Sequence, residues 1–200
     1  MEIQRAKEIM GRNFIGAKEI EALNDVFHFL IPEQIPEIEY DENELLQKRD
    51  THVLILCISE FLNGESVNIK NLKKLFATYK EPCFYNQDWY NNEKFINLTL
   101  SKQWILVSKT ICDDSRGVEM DEILRKYKLF SAIELTYSFF VYYIFSEGER
   151  LWECDYVWCS DKDDKGDQIY VGRYKDASGF NSDGFEIHRH LRIKNNYGAI

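Results

Sequence analysis

The side chains best suited to chemistry crowd into one stretch, "YVWCSDKDDKGDQIYVGRYKDASGFNSDGFEIHRH", from Tyr156 to His190. Within "DKDDKGD", Asp161 and Asp163 hold the first and third positions and Gly166 the sixth, the spacing with which an acidic loop offers oxygens to calcium. Lys165 then stands where an oxygen ligand is wanted, and Gly172 stands at the twelfth position in place of a glutamate. The flanking segments read as strands, whereas a calcium loop of this kind joins helices, so a solvated polar loop is the first reading and a calcium site the second.

In "FEIHRHLRI" a strand would place Glu186, His188, His190 and Arg192 on one face, and Phe185, Ile187, Leu191 and Ile193 on the other with Arg189 among them. Two histidines two residues apart on a strand can hold zinc if a third ligand arrives from elsewhere. Neither HExxH nor a Cys/His ladder supplies one, and the plainer reading is a polar face whose imidazoles bond carboxylates. Arg189 poses the sharper question. A guanidinium on an apolar face must meet a carboxylate or carbonyls, because leaving it unpaired is costly.

Nucleophilic chemistry has weaker support. The chain lacks GxSxG, a P-loop and GxGxxG. Cys159 could pair with His188 or His190 as the nucleophile and base of a hydrolase, but a cysteine in an apolar strand is commonly a small core residue. The segment "FYNQDWY", Phe84 to Tyr90, mixes rings with amides and an acid. It reads either as a sugar- or peptide-binding surface or as an irregular loop pinned to the core by its aromatics. The expected ligand-binding set is Asp161, Asp163, Asp167, Asp176, Asn181 and Asp183 on two loops, with His188 and His190 beneath them. No catalytic residue is assigned, and no cofactor beyond calcium or zinc as secondary options.

Positioning these groups requires a scaffold, and the apolar periodicity outlines one. "AKEIEALNDVFHFL" spaces Ile20, Leu23, Val26, Phe27 and Leu30 as a helix that Pro32 ends. "IPEQIPEIEY" reads as an extended connector, followed by a short helix that Asp41 could cap. "THVLILCI" and "KQWILVSK" read as strands, with a helix from about Asn68 between them. "VEMDEILRKYKLFSAIELTYSFFVYYIF" holds one helix, or two with a break near 129–131, and its later part is apolar nearly all round, as in helices covered on several sides. Three strands follow, "DYVWCS", "QIYVGRY" and "FEIHRHLRIK", joined by loops too long for two-residue turns.

Composition narrows the function classes. Of 200 residues, 44% are hydrophobic and 14% aromatic, the profile of a packed globule. A net charge of −9 repels phosphate backbones and argues against nucleic acid, with "HRHLRIK" the densest basic run. "AIELTYSFFVYYIF" is too short to span a bilayer, and the first residues lack a basic-then-apolar signal. Five cysteines without a CxxC pair suit reduced thiols in a cytoplasmic protein.

The order "SAIELTY" (Ser131 to Tyr137), "YVWCSD" (Tyr156 to Asp161), "IYVGRYKD" (Ile169 to Asp176) and "IHRHLRIKNNYGAI" (Ile187 to Ile200) resembles bacterial C-type-lectin-like domains, including the formylglycine-generating and major-tropism-determinant types. "LFSAIEL" lacks the Pro and Thr of the usual helix motif, the usual disulfides have no counterparts, and the catalytic cysteine pair of the formylglycine enzymes is not placed on Cys154 or Cys159. The chain as a whole is similar to Bacteroides-type proteins of about this length, a likeness that carries no function. The lectin-like resemblance implies an α+β fold, helices packed on a twisted antiparallel sheet, whose loops face a ligand.

The chain is therefore expected to be one domain over 1–200, helix-rich over 1–100 and lectin-like over 101–200. The expected role is a binding or interaction module for a small molecule or a protein, with homo-oligomers allowed. The alternatives are a metal-dependent or Cys/His hydrolase using His188 and His190, and a phage- or mobile-element-associated structural protein.

Overall fold

The computed structural model describes residues 1–175, 183–189 and 194–200. It is an α+β protein that divides into two compact units, Met1–Val67 with Thr99–Lys109, and Asn68–Leu98 with Thr110–Ile200. The chain crosses between the units three times, after Val67, Leu98 and Lys109. Among the described residues, no helix is long and apolar enough to cross a membrane.

The first unit is built on three short strands, β1 (Phe14–Ile15), β2 (His52–Leu56) and β3 (Trp104–Ser108). β1 runs parallel to β2, and β2 antiparallel to β3, with Leu54 opposite both Phe14 and Leu106. The continuous apolar runs expected as strands are strands, and every residue of β3 is buried, as a sheet covered on both faces requires. Helices α1 (Ile3–Met10), α2 (Ala17–Glu21), α3 (Asn24–Phe27) and α4 (Glu42–Lys48) belong to this unit. The single helix expected over 17–30 is instead α2 and α3, and it ends at His28, which adopts a left-handed φ of 55°. Asn24 explains the stop. Its side-chain amide bonds the Phe29 carbonyl and N–H, both at 2.9 Å, and offers the backbone an alternative to helix. Asp41 caps α4 as expected, accepting the Glu44 N–H at 2.9 Å.

The second unit holds α5 (Ile69–Leu75), α6 (Met120–Lys126), α7 (Ala132–Phe145) and a four-stranded sheet of β4 (Tyr156–Lys162), β5 (Gln168–Gly172), β6 (Glu186–His188) and β7 (Tyr197–Gly198). The spatial order is β6-β5-β4-β7. The expected antiparallel meander is present, and the chain's end adds β7 parallel to β4. The break between α6 and α7 falls where the composition placed it. Ser131 and Glu134 form a capping box at the start of α7, two orphan donors satisfied reciprocally. From Ala132 to Tyr142, every residue except Glu134 is buried.

Register gives this sheet two unlike faces. Val157, Cys159, Ile169, Val171 and Ile187 alternate onto the face that α7 packs, since α7 meets both β4 and β5. Tyr156, Trp158, Tyr170 and Tyr197 occupy the other, clustered with Ile123 of α6 and Ala199. Their rings meet mostly edge to face, Trp158 on Tyr170 at 4.9 Å between centroids and Tyr156 on Tyr170 at 5.2 Å, the geometry that aromatic quadrupoles favour. Gly172 ends β5 at φ +121°, where a Cβ would stand 2.6 Å from the Asp155 carbonyl oxygen. Only glycine lets the two strands close there.

Candidate functional site

The loop "DKDDKGD" closes the β4–β5 hairpin, and its carboxylates are already engaged. Asp161 accepts the Ala132 N–H at 2.5 Å and so holds the first turn of α7. Burial pushes its carboxyl above the usual range, with Glu134 adding to the effect and the Ala132 N–H opposing it. Asp163 is turned elsewhere. One oxygen accepts the Lys165 and Asp167 N–H groups at 2.8 Å each, and the other accepts the Arg189 guanidinium. Burial alone would raise this carboxyl, but the Asp167 N–H, Arg189 and the Lys165 N–H outweigh it and hold it below the usual range. Two aspartates two residues apart are thus shifted in opposite directions by different partners.

The Asp163–Arg189 contact answers the question that Arg189 posed. Its acceptors are Asp163, whose side chain is 0% exposed, and Glu93 at 3.2 Å. The guanidinium also lies over the Trp89 ring, 4.4 Å from its centroid, a stacked cation held by two carboxylates. Glu93 binds the loop a second time by accepting the Asp164 N–H at 2.8 Å. β6 ends at His188, so Arg189 lies just beyond the strand.

A second cluster sits at the β6 end of the aromatic face. Glu186 is buried, and the Tyr156 hydroxyl donates to it. Arg173 Nη2 donates to its other oxygen at 3.1 Å, and His188 Nε2 lies 3.1 Å away. Burial raises the Tyr156 phenol, and its bond to Glu186 raises it further, so it stays a donor. Arg173 bends back over the Tyr156 ring at 5.2 Å from a left-handed φ of 42°. His188 and Arg173 keep 24% and 23% of their side chains exposed. The Gln87 amide nitrogen lies 2.6 Å from His188 Nε2.

Gln87 belongs to the aromatic segment, which covers the free edge of β6. Phe84 pairs with Phe185 as an isolated parallel bridge. Beyond it, side chains replace the backbone. Gln87 Oε1 accepts the Ile187 N–H at 3.2 Å, and the Trp89 indole donates to the Ile187 carbonyl at 3.0 Å. The exposed ladder of an edge strand is thereby closed. The pinned-loop reading of "FYNQDWY" describes these contacts, while Gln87 also reaches the polar cluster.

The structure brings His188 together with Glu186, and Asp163 with Arg189. Asp183 is exposed and precedes β6. Asp176, Asn181 and His190 lie outside the described residues. Asp167 serves the hairpin through its N–H to Asp163. Among the described residues, no three His, Cys, Asp or Glu side chains converge as a metal site. Cys159 is fully buried on the α7 face, its thiol raised by burial, while His188 stands on the aromatic face. The sheet thus separates Cys159 from His188. No protein-family model, curated protein or solved structure matches the chain. Glu93, Tyr156 and Arg173 were missed from the sequence, and Gln87 was marked only as part of the aromatic segment. Only Arg189, by demanding an acceptor, signalled that such partners existed.

Proposed function

We propose that the chain is a binding module of C-type-lectin-like character, and that its ligand surface is the rim formed by His188, Gln87 and Arg173. The observation that carries this reading is the buried Glu186, which takes donors from Tyr156 and Arg173 and stands beside the partly exposed His188. A carboxylate locked from beneath fixes an imidazole, an amide and a guanidinium in place before any ligand arrives, and so lowers the cost of ordering them on binding. Amide, imidazole and guanidinium next to aromatic rings suit the hydroxyls and ring faces of a saccharide. The hairpin aspartates act as ties for that rim, and with Asp163 bound to Arg189 the reading needs no calcium. Free thiols at all five cysteines support a cytoplasmic setting.

The test is an NMR titration with glucose, galactose, mannose and N-acetylglucosamine, with and without calcium. Shifts confined to the Gln87 side-chain amide, His188 and Arg173, and abolished by Gln87→Ala, are expected. Shifts elsewhere that survive this substitution, or none with any sugar, would sink the reading.

A further inference from the structure

The same unit contains a cavity of different chemistry. Between Glu65 and Glu81 the chain carries four lysines, Lys70, Lys73, Lys74 and Lys80, and no acid, in a protein of net charge −9. On α5, Lys70, Lys73 and Lys74 fall at i, i+3 and i+4 and so share one face of the helix. They border a cavity of about 310 Å³ whose wall includes Ala77, Tyr90 and Ile96, a volume at the small end of ligand pockets.

Tyr90 and two lysines set the chemistry of this cavity. Tyr90 is 0% exposed, and its hydroxyl has no hydrogen-bond partner among the described residues, a costly condition for a buried donor. Burial raises this phenol, so it remains an O–H donor. Lys73 lies over the Tyr90 ring, 4.4 Å from its centroid. It donates to the Gln87 carbonyl at 2.6 Å and to Asn91 Oδ1 at 3.1 Å, with its nearest carboxylate, Asp88, 3.9 Å away. Burial lowers its pKa, and Asp88 offsets this only in part. Lys70 is exposed and has no carboxylate partner among the described residues.

We propose that this cavity binds a small organic acid, its apolar body against Ala77, Tyr90 and Ile96 and its acid group between Lys70 and Lys73. The apolar wall excludes a bare inorganic anion as the preferred occupant, because such an ion gains nothing from burying that surface. The lysines favour the acid over its uncharged counterpart, which offers Lys70 no anionic partner. An anion here would also raise the depressed Lys73, so binding is coupled to proton uptake at alkaline pH.

The test uses 4-phenylbutyrate, its neutral analogue 4-phenylbutanol, and inorganic phosphate. Binding is followed by NMR at the Ala77, Asn91 and Ile96 amides. The acid should bind at least roughly tenfold more tightly than the alcohol, the weight of one charge-assisted hydrogen bond, and phosphate should leave these amides unmoved. Tyr90→Phe removes an unpartnered hydroxyl sealed from the cavity, so it should raise the melting temperature of the free protein. Lys70→Ala, at an exposed position, should keep the fold and weaken the acid while leaving the alcohol unchanged. Alcohol or phosphate binding as tightly as the acid, no response to any probe, or an unchanged affinity in Lys70→Ala would each overturn the proposal. None of these outcomes depends on the saccharide reading of the His188 rim.

Discussion

The two sheets of this protein are made from different alphabets. β2 and β3 read His-Val-Leu-Ile-Leu and Trp-Ile-Leu-Val-Ser, aliphatic on both faces. The sheet of β4 to β7 is aliphatic only toward α7, and its other face is Tyr156, Trp158, Tyr170 and Tyr197. An aliphatic face can only exclude water. A tyrosine face excludes water with its rings and carries hydroxyls to an edge, as Tyr156 does for Glu186. The polar clusters therefore gather on the second sheet, where the core itself can hold a buried carboxylate in place.

The largest expected effects test the part of this contrast that rests on packing alone. Phe139 is fully buried, stacked on Tyr174 at 5.4 Å and tilted against Phe185 at 4.7 Å. Phe139→Ala should cost about 4 kcal/mol, and Leu54→Ala in β2 about 3 kcal/mol. Denaturant unfolding would measure both. Equal and small losses would mean that neither sheet's packing is as tight as its burial implies.

Next comes the hairpin pair, where neighbouring residues should respond to acid with opposite sign. Asp163 titrates below its unfolded value, so the stability it contributes is present above about pH 4 and lost as pH falls through the folded pKa. Asp161 titrates above its unfolded value, so the native state holds the extra proton, and stability declines as pH rises from about 4 through the folded pKa. At neutral pH, Asp163→Asn should cost about 3 kcal/mol by leaving Arg189 short of its buried partner. Asp161→Asn, which keeps an oxygen for the Ala132 N–H, should cost less than about 1 kcal/mol. Urea midpoints of both variants between pH 3 and 7 decide this. Parallel pH slopes would show that the two carboxylates share one environment.

The acid response of the first unit has a different origin. Burial pushes His52 down to about 4, with Lys48 adding to the shift and Glu44 opposing it. A neutral imidazole in the native state makes stability complete above about pH 6.5 and progressively weaker down to about pH 4. The loss should reach about 1–2 kcal/mol once the partial exposure of the ring is allowed for. His52→Gln should flatten this window and leave the steeper acid loss from Asp163 untouched.

The legibility of these features from sequence follows from how local their causes are. Asp41, Asn68 and Ser131 cap the helices they precede, and the apolar runs of β2 and β3 are strands, because caps and periodicity act within a few residues. The helix over 17–30 failed for a reason equally local but easily overlooked, the Asn24 side chain competing for the Phe29 backbone. The site was less legible, since its decisive contacts are distant in sequence. Glu93 meets Arg189 across 96 positions, and Gln87 meets His188 across 101. Spacing rules are blind to such pairs. The burial cost of a guanidinium is not, and it pointed to an acceptor without naming it.

Another small effect concerns the segment that joins edge and cluster. Trp89 donates its indole N–H to the Ile187 carbonyl and lies under Arg189. Trp89→Phe keeps a ring for the cation and removes only the donor, so it should cost about 1 kcal/mol. The freed carbonyl sits on the outer edge of β6, where pairing with another chain is the characteristic hazard. Trp89→Phe should therefore self-associate at concentrations where the parent does not, whereas a Leu54→Ala protein of lower stability should not do so while folded. Light scattering on the two variants under native conditions separates loss of edge cover from loss of stability. Equal association in both would show that the aromatic segment only packs and does not shield.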